Sequence, residues 1–245
     1  MDKKTINELA YVVSTNDWDK TNVIDRGVFR ISQFQSTAFE SDYQCFLISK
    51  PSKNGKSYLP FMVAKITDQN EWYVLEMLRE HAYHVPMVVD KISNGTDKIM
   101  IFEEYIPGKE LYQKSTLYNW RLTARSIARI HERFWNASGQ PAHYLEAIPE
   151  QDRAPAEHLW TQKITHAHQI SSLKPEWENA FLRINARLSS CPQTLTHGDF
   201  FPTNILMYGK IPYLIDWANA GEFPYFCDVG RITGVIKQKT LRSFC

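Results

Sequence analysis

Three oxygen-bearing side chains, Asp199, Asn204 and Asp216, follow one another near the C-terminal end of the chain. A carboxylate that faces a hydroxyl group can take its proton, and this is the role expected of Asp199. Mg²⁺ prefers oxygen ligands and keeps room for phosphate oxygens and water, so an amide oxygen and a second carboxylate suit it. The set therefore predicts a proton acceptor at Asp199 and metal ligands at Asn204 and Asp216.

Phosphoryl transfer from ATP needs this combination of groups. The reaction requires an acceptor hydroxyl in line with the γ-phosphate and a divalent cation that neutralises phosphate charge. The spacing from His197 through Asp199 to Asn204 is the H-x-D-x-x-x-x-N pattern of a kinase catalytic loop. Order and spacing therefore predict kinase chemistry. His197 itself is expected to hold the loop by hydrogen bonds and to do no chemistry.

A β-hairpin is expected to bring the two metal ligands together. Residues 205–207 and 213–215 are short apolar runs typical of strands, and residues 208–210 contain a glycine suited to the turn. A hairpin returns the chain to its origin, so Asn204 and Asp216 should emerge side by side.

The same segment carries a family resemblance. The run from His197 to Asp216, with Gly198 inside the His-Gly-Asp triplet and Trp217 after the last Asp, resembles the aminoglycoside phosphotransferase family. That family belongs to a wider group of small-molecule kinases that includes the choline kinases. Gly198 stands where protein kinases carry the Arg of H-R-D, and Asp216-Trp217-Ala218 stands where they carry D-F-G. Both differences favour a small-molecule kinase without an activation-loop switch.

The resemblance extends from about Val28 to Asp228 and implies an α+β, two-lobed, protein-kinase-like fold. An N-terminal nucleotide-binding lobe, with an antiparallel sheet and one helix, is expected over residues 1–106. A C-terminal catalytic and acceptor-binding lobe is expected over residues 107–245, mostly helical from 109 to 190 and carrying the catalytic hairpin. Asp228 is expected to be a structural hydrogen-bond acceptor.

Alternation of apolar and polar residues predicts the strands of the N-terminal sheet. The expected strands cover residues 28–31, 43–48, 58–66 and 98–102. One helix is expected between the last two strands, over residues 69–82. Asp68 is its expected N-cap, and Glu71 stands in the position of a capping box.

A lysine and a glutamate of this lobe are expected to act together. The third strand ends with residues 63–66, Val-Ala-Lys-Ile, which resemble the V-A-I-K strand whose Lys binds the α- and β-phosphates, and this assigns Lys65. At about 100° per residue, Glu71 falls on the apolar face of the helix, whereas Glu76 points away from it. Glu71 is therefore the predicted partner of Lys65, and a role in capping alone is the alternative.

The resemblance also assigns contacts to the nucleotide, and the implied cofactors are ATP and Mg²⁺. The loop over residues 36–41, with Ser41, is the candidate cover for the phosphates, and an ordinary hairpin loop is the alternative. The linker over residues 103–108, with Glu103 and Tyr105, is the candidate adenine site, where backbone groups would bind the base.

Bulk composition excludes several other classes of protein. The chain has 245 residues and a formal net charge of +1, which argues against a nucleic-acid binder that relies on a broad basic field. No apolar run reaches the length of a transmembrane helix, so no membrane partner is expected. The polar N-terminus resembles no signal peptide, and the four cysteines form no CxxC pair. We therefore expect a cytoplasmic protein with reduced thiols.

The acceptor is the least determined part of the prediction. A hydroxyl group on an aminoglycoside, amino sugar, amino alcohol or antibiotic is expected, which would connect the protein with antibiotic resistance. Polycationic aminoglycosides call for acidic pockets, but residues 146–187 mix acidic with basic side chains. The pair His166 and His168 has no accompanying acid or Cys cluster and is not expected to bind metal.

The length of the C-terminal segment points to an alternative class of function. The chain ends soon after Asp228, whereas members of the family commonly continue with further helices that help to bind the acceptor. The alternative is therefore a nucleotide-binding pseudokinase or interaction protein without turnover. The intact set of Lys65, Asp199, Asn204 and Asp216 favours the enzyme. The oligomeric state is left open.

Overall fold

The protein is described here by a computed structural model. It describes residues 2–15, 23–25, 28–33, 44–93, 98–135 and 190–240, together with Arg183 and residues 186–188. The predicted phosphate loop with Ser41, and the pair His166 and His168, lie outside the described residues. The chain divides into two compact units, Met1–Gly108 and Lys109–Cys245.

The first unit contains a six-stranded antiparallel sheet, and the α+β class is confirmed. Its strands are β1 (Val23–Asp25), β2 (Arg30–Gln33), β3 (Cys45–Pro51), β4 (Tyr58–Asp68), β5 (Val88–Ser93) and β6 (Lys98–Glu104), in the order β1-β2-β3-β4-β6-β5. Its described helices are α1 (Lys3–Thr15) and α2 (Gln69–Glu80). The four predicted strands correspond to β2, β3, β4 and β6, while α1, β1 and β5 were not predicted.

Helix α1 covers one face of this sheet. Its buried residues Ile6, Leu9, Ala10 and Val13 follow the i, i+3, i+4, i+7 spacing of an apolar helix face. They form one core cluster with side chains of the sheet, among them Ile31, Phe46, Ile48, Met62, Ala64 and Phe102. Burial of this apolar surface is what holds the helix on the sheet.

Strand β4 presents different chemistry on its two faces. Met62 and Ala64 belong to the core under α1, so the alternation of a strand turns Lys65 and Thr67 to the opposite side. Helix α2 begins at Gln69, directly after this strand. A residue in the first turn of α2 is therefore close to the two polar residues of β4.

The predicted capping box at the start of α2 is wrong. Asp68 is the N-cap, but its side chain makes no capping hydrogen bond. Its Oδ1 instead accepts from Lys98 Nζ at 2.7 Å. The cause is strand register, because Asp68 of β4 lies opposite Lys98 of β6 and an ammonium group competes for the carboxylate.

The second unit contains two small antiparallel sheets and two long helices within the described ranges. Its elements are β7 (Lys109–Glu110), α3 (Leu117–Arg133), β8 (Thr194–Thr196), a 3₁₀ turn (Pro202–Asn204), β9 (Ile205–Tyr208), β10 (Ile211–Leu214), β11 (Gly221–Phe223) and α4 (Phe226–Thr240). The sheets have the orders β10-β9-β7 and β11-β8. The predicted helical segment thus begins with a strand, because residues 109–110 pair with Met207 and Leu206.

The predicted hairpin is formed by β9 and β10. Tyr208 pairs with Ile211 and Leu214 pairs with Ile205, so Gly209 and Lys210 make a tight turn, with Gly209 at a φ of 61°. β10 is one of the two outer strands of its sheet in the described part of the chain, a position that tolerates a proline. No helix among the described residues is long and apolar enough to cross a membrane.

Candidate active site

The loop that leaves β8 begins with a histidine whose two ring nitrogens both have partners. His197 is fully buried. Its Nε2 lies 2.9 Å from the carbonyl oxygen of Ile215, and its Nδ1 accepts from the backbone N–H of Asp199 at 3.3 Å. A carbonyl can only accept and a backbone N–H can only donate, so the ring must carry its proton on Nε2. His197 is therefore the neutral tautomer that bridges the loop and the hairpin.

The surroundings of His197 favour the same neutral form. Burial lowers the pKa of His197 below its usual value of 6.5, and this effect outweighs the opposing charge of Asp228. The ring also packs against the fully buried Trp217 in a tilted arrangement with centroids 4.4 Å apart, and Trp217 Nε1 donates to the carbonyl oxygen of Leu214. The predicted structural contribution of His197 through hydrogen bonds matches this geometry.

One buried carboxylate anchors the loop backbone. Asp228, on α4, accepts from the N–H of His197 at 2.9 Å through Oδ2 and from the N–H of Gly198 at 3.1 Å through Oδ1. Oδ2 also lies 3.0 Å from His131 Nε2 on α3, and the Asp228 side chain is only 1% exposed. Thr194 donates its hydroxyl to the carbonyl oxygen of His131 at 2.8 Å. Asp228 thus joins α4, α3 and the loop.

Gly198 occupies a position that no other residue fits without rearrangement. Its φ is +75°, in the left-handed region that disfavours L side chains. A Cβ atom at this position would lie 1.8 Å from the backbone oxygen of Asn219. The glycine thus allows the loop to lie directly against the segment that follows the hairpin.

Asp199 and Asn204 are in direct contact. Asn204 Nδ2 donates to the backbone oxygen of Asp199 at 2.9 Å and to its Oδ2 at 3.0 Å. Because both partners are acceptors, they fix which end of the amide is nitrogen. Asn204 Oδ1 has no hydrogen-bond partner in the described part of the chain and remains available to a cation.

The hairpin places Asp216 beside Asn204. The N–H of Ile215 donates to the backbone oxygen of Asn204 at 3.0 Å, and the carbonyl oxygen of Ile215 accepts from His197. The residue before Asp216 is thus held from two directions. Asp216 itself has a φ of 66°, a conformation that costs free energy and is kept only where the surroundings impose it.

These oxygens fit a magnesium ion that is shared with phosphates. An amide oxygen and a carboxylate are hard ligands, and Mg²⁺ is commonly held by few protein groups together with substrate phosphates. In the described ranges, no cluster of three or more His, Cys, Asp or Glu side chains forms a closed metal site. One amide oxygen and one carboxylate form a donor set that suits a cation shared with nucleotide phosphates.

In the first unit, Lys65 and Glu71 form a buried ion pair. Lys65 Nζ lies 2.9 Å from Glu71 Oε1, and the two side chains are 10% and 1% exposed. Thr67 donates its hydroxyl to Glu71 Oε2 at 2.5 Å. Both oxygens of Glu71 are thus bound by residues of β4, on the face turned away from α1.

The competing glutamate of α2 has different surroundings. Glu76 is partly buried and forms no hydrogen bond or ion pair with a described residue. Burial, with a smaller effect from the charge of Glu80, raises the pKa of Glu76. The side chain that the structure places on Lys65 is therefore Glu71.

The candidate adenine linker is shorter than predicted. Glu103 and Glu104 belong to β6, so only residues 105–108 are free of regular structure. The N–H of Tyr105 donates to the carbonyl oxygen of Phe61 at 3.2 Å. A base bound here would therefore use the carbonyl of Tyr105 or the groups that follow it.

Three residues that touch the predicted site residues were missed from sequence. Thr67 lies on the same strand face as Lys65, and the period of a strand could have identified it. His131 and Arg231 bind Asp228 and Asp199 respectively, at distances of 3.0 Å in both cases. Their contacts join segments far apart in the chain, and the motif itself carries no signal for them.

Comparison with known proteins gives a family and a fold. A model of the phosphotransferase enzyme family matches residues 63–240. A comparison with curated proteins gives no significant match. The solved structure of aminoglycoside phosphotransferase APH(3'')-Id from Streptomyces rimosus is 14% identical with a TM-score of 0.56, over 94% of this chain and 84% of that one.

Two further solved structures have the same fold. A choline/ethanolamine kinase family protein from Mesorhizobium loti is 13% identical with a TM-score of 0.52, over 93% of this chain and 69% of that one. A thermostable mutant of aminoglycoside phosphotransferase APH(4)-Ia, in a ternary complex with ADP and hygromycin B, is 14% identical with a TM-score of 0.52, over 85% and 71%. At 13–14% identity, the similarity of this chain to these structures shows a common fold.

The geometry at Gly198 predicts a large loss of stability in Gly198→Ala. Gly209→Ala is the matched control, because Gly209 also has a positive φ but no atom lies within 4 Å of the position that its Cβ would take. The control should lose about 1–2 kcal/mol for the left-handed conformation alone. Gly198→Ala should lose about 1–3 kcal/mol more through overpacking. Urea unfolding measures both; equal losses would contradict the close approach to Asn219.

The lowered pKa of His197 predicts a stability that falls in acid. Below about pH 6.5 the unfolded chain takes up a proton that the native ring refuses, so the free energy of unfolding decreases as the pH falls. This contribution reaches at most about 1.4 kcal/mol per pH unit. His197→Gln should remove this contribution. Below about pH 6.5 the free energy of unfolding of the variant should therefore decrease less steeply with falling pH than that of the wild type, whereas above about pH 7.5 the two curves should run parallel. Identical slopes throughout would refute the prediction.

Proposed function

Since the chain belongs to the phosphotransferase enzyme family, we propose that it transfers the γ-phosphate of ATP to a hydroxyl group of a small molecule. The observation that carries this proposal is the contact between Asp199 and Asn204. In this contact the amide nitrogen of Asn204 would hold the Asp199 carboxylate toward the acceptor hydroxyl. The amide oxygen of Asn204 would then be left for a metal ion.

In the proposed reaction Asp199 accepts the proton of the acceptor hydroxyl. The hydroxyl oxygen bonds to the γ-phosphorus, the bond from that phosphorus to the bridging oxygen breaks, and ADP leaves with the electron pair. Asn204 and Asp216 would hold Mg²⁺, which supplies neutralisation of phosphate charge. Asn204 can bind both ways at once, because its Nδ2 is on Asp199 and its Oδ1 is open.

Lys65 is proposed to bind the α- and β-phosphates, with Glu71 and Thr67 as its supports. An ammonium group that is held before the nucleotide arrives loses less freedom on binding. The two anchors on Glu71 serve this purpose, since Thr67 fixes one oxygen while Lys65 occupies the other. We further propose that adenine binds along residues 105–108, directly after the last two residues of β6, Glu103 and Glu104.

The acceptor is proposed to be a hydroxyl compound of the amino sugar, amino alcohol or antibiotic type. The support comes from the solved structures of similar fold, which include a choline/ethanolamine kinase family protein and an APH(4)-Ia complex with ADP and hygromycin B. If the acceptor is an antibiotic, we propose that its phosphorylation contributes to antibiotic resistance.

The decisive test is ADP formation from Mg-ATP in the presence of a panel of aminoglycosides, amino sugars, amino alcohols and other hydroxyl antibiotics. Asp199→Asn should lower turnover with the responding compound by about 10²–10⁴-fold, because it removes the proton acceptor. Its affinity for Mg-ATP, measured by calorimetry, should stay close to that of the wild type. Binding of Mg-ATP without ADP formation from any compound would instead indicate the pseudokinase.

The buried pair on β4 and α2 predicts a graded series of variants. Glu71→Gln should lower turnover most, because Lys65 loses its counter-charge, and Thr67→Val should lower it less, because only one anchor of Glu71 disappears. Glu76→Gln is the matched control on the same helix and should be close to wild type. Initial rates of ADP formation measure turnover, and circular dichroism measures helix content in each variant. A loss of turnover in Glu76→Gln together with wild-type turnover in Glu71→Gln would refute a role for the pair of Lys65 and Glu71.

A further inference from the structure

Arg231, on α4, binds the side chain of Asp199. Its Nη1 donates to Asp199 Oδ1 at 3.0 Å, and the guanidinium carbon lies 5.4 Å from the centroid of the Phe201 ring. Arg231 follows Asp228 by three residues, so the two side chains leave the same face of the helix. That face therefore holds Asp199 by its carboxylate and the two residues before it by their backbone N–H groups.

The contact between Arg231 and Asp199 contributes little to folding. The side chains are 36% and 27% exposed, in contrast to the 1% of Asp228. An ion pair this open is screened by water and salt, and ordering two side chains costs entropy. What the contact can determine is therefore the orientation of the Asp199 carboxylate.

Donors bind both oxygens of Asp199. Arg231 Nη1 is on Oδ1 and Asn204 Nδ2 is on Oδ2, each at 3.0 Å. Two donors on opposite oxygens fix the rotation of the carboxylate about the Cβ–Cγ bond, whereas one donor leaves it free to swing. A carboxylate offers about four lone-pair positions, so positions remain for an acceptor hydroxyl.

We infer that Arg231 is a positioning residue for the reaction proposed above, on which this inference rests. It holds the Asp199 carboxylate in the orientation that meets the acceptor hydroxyl. Misplacement of a reacting group by about 1 Å can cost about 100-fold in rate, so a loss of this orientation is felt in turnover even where the fold is intact.

A double-mutant cycle on turnover tests the inference. Arg231→Ala, Asp199→Asn and the double variant are compared by ADP formation from Mg-ATP, with the responding acceptor of the panel or with water as acceptor. Arg231→Ala should lower kcat by about 10–100-fold with the KM for ATP unchanged. In the Asp199→Asn background the same change should cost nothing further, since the group that it positions is gone.

Two companion variants separate positioning from general damage. Arg231→Lys keeps a donor of the same charge and should recover part of the lost kcat. Thr233→Ala, on the exposed side of α4, should leave kcat unchanged, because among the described residues its hydroxyl bonds to the backbone of its own helix alone. The urea midpoints of Arg231→Ala and Thr233→Ala should both stay close to that of the wild type.

Failure of this inference and failure of the proposed function give different experimental results. A wild-type protein that forms no ADP with any acceptor or water refutes the proposed function, and the inference falls with it. An active wild type in which the losses of Arg231→Ala and Asp199→Asn multiply in the double variant overturns the inference alone. A Thr233→Ala variant as impaired as Arg231→Ala would do the same.

Discussion

The carboxylate of Asp228 is the constraint on which the catalytic loop depends. It is almost fully buried, and a buried charge is tolerated only when its oxygens are bound. The backbone N–H groups of His197 and Gly198 and the ring of His131 meet this requirement. The loop conformation thus follows from the requirement of the buried Asp228 carboxylate, on α4, for hydrogen-bond donors. The position of Asp199 follows from it, because Asp199 is the next residue along the chain.

The same loop is held from its other side by a neutral ring. His197 connects Asp199 to Ile215 only as the tautomer protonated on Nε2, since each nitrogen has a partner of fixed type. Ile215 in turn carries the backbone contact to Asn204. The relative positions of Asp199, Asn204 and Asp216 are therefore fixed by a neutral ring and by backbone groups.

Local sequence patterns predicted the parts of the molecule that depend on neighbours along the chain. The hairpin between Asn204 and Asp216 formed as expected, because a turn glycine and two apolar runs suffice to specify it. The capping box at Asp68 failed, because strand register brings in Lys98 from a different strand. The helix over residues 3–15 carries the regular apolar spacing that should have predicted it. Contacts between distant segments, such as those of His131 and Arg231, produce no local spacing pattern. The acceptor role of Asp228 was expected only through the family resemblance.

Pro212 gives the hairpin between Asn204 and Asp216 a property unrelated to chemistry. It lies inside β10, which is an outer strand of its sheet within the described ranges, opposite Met207. An outer strand exposes unpaired backbone groups, which invite strand addition by another chain and lead to aggregation. Proline has no N–H, so a strand docking on this four-residue edge finds a donor missing in its middle. The proline therefore makes this edge of the hairpin a poorer template for strand addition than four residues with a full set of N–H groups would be.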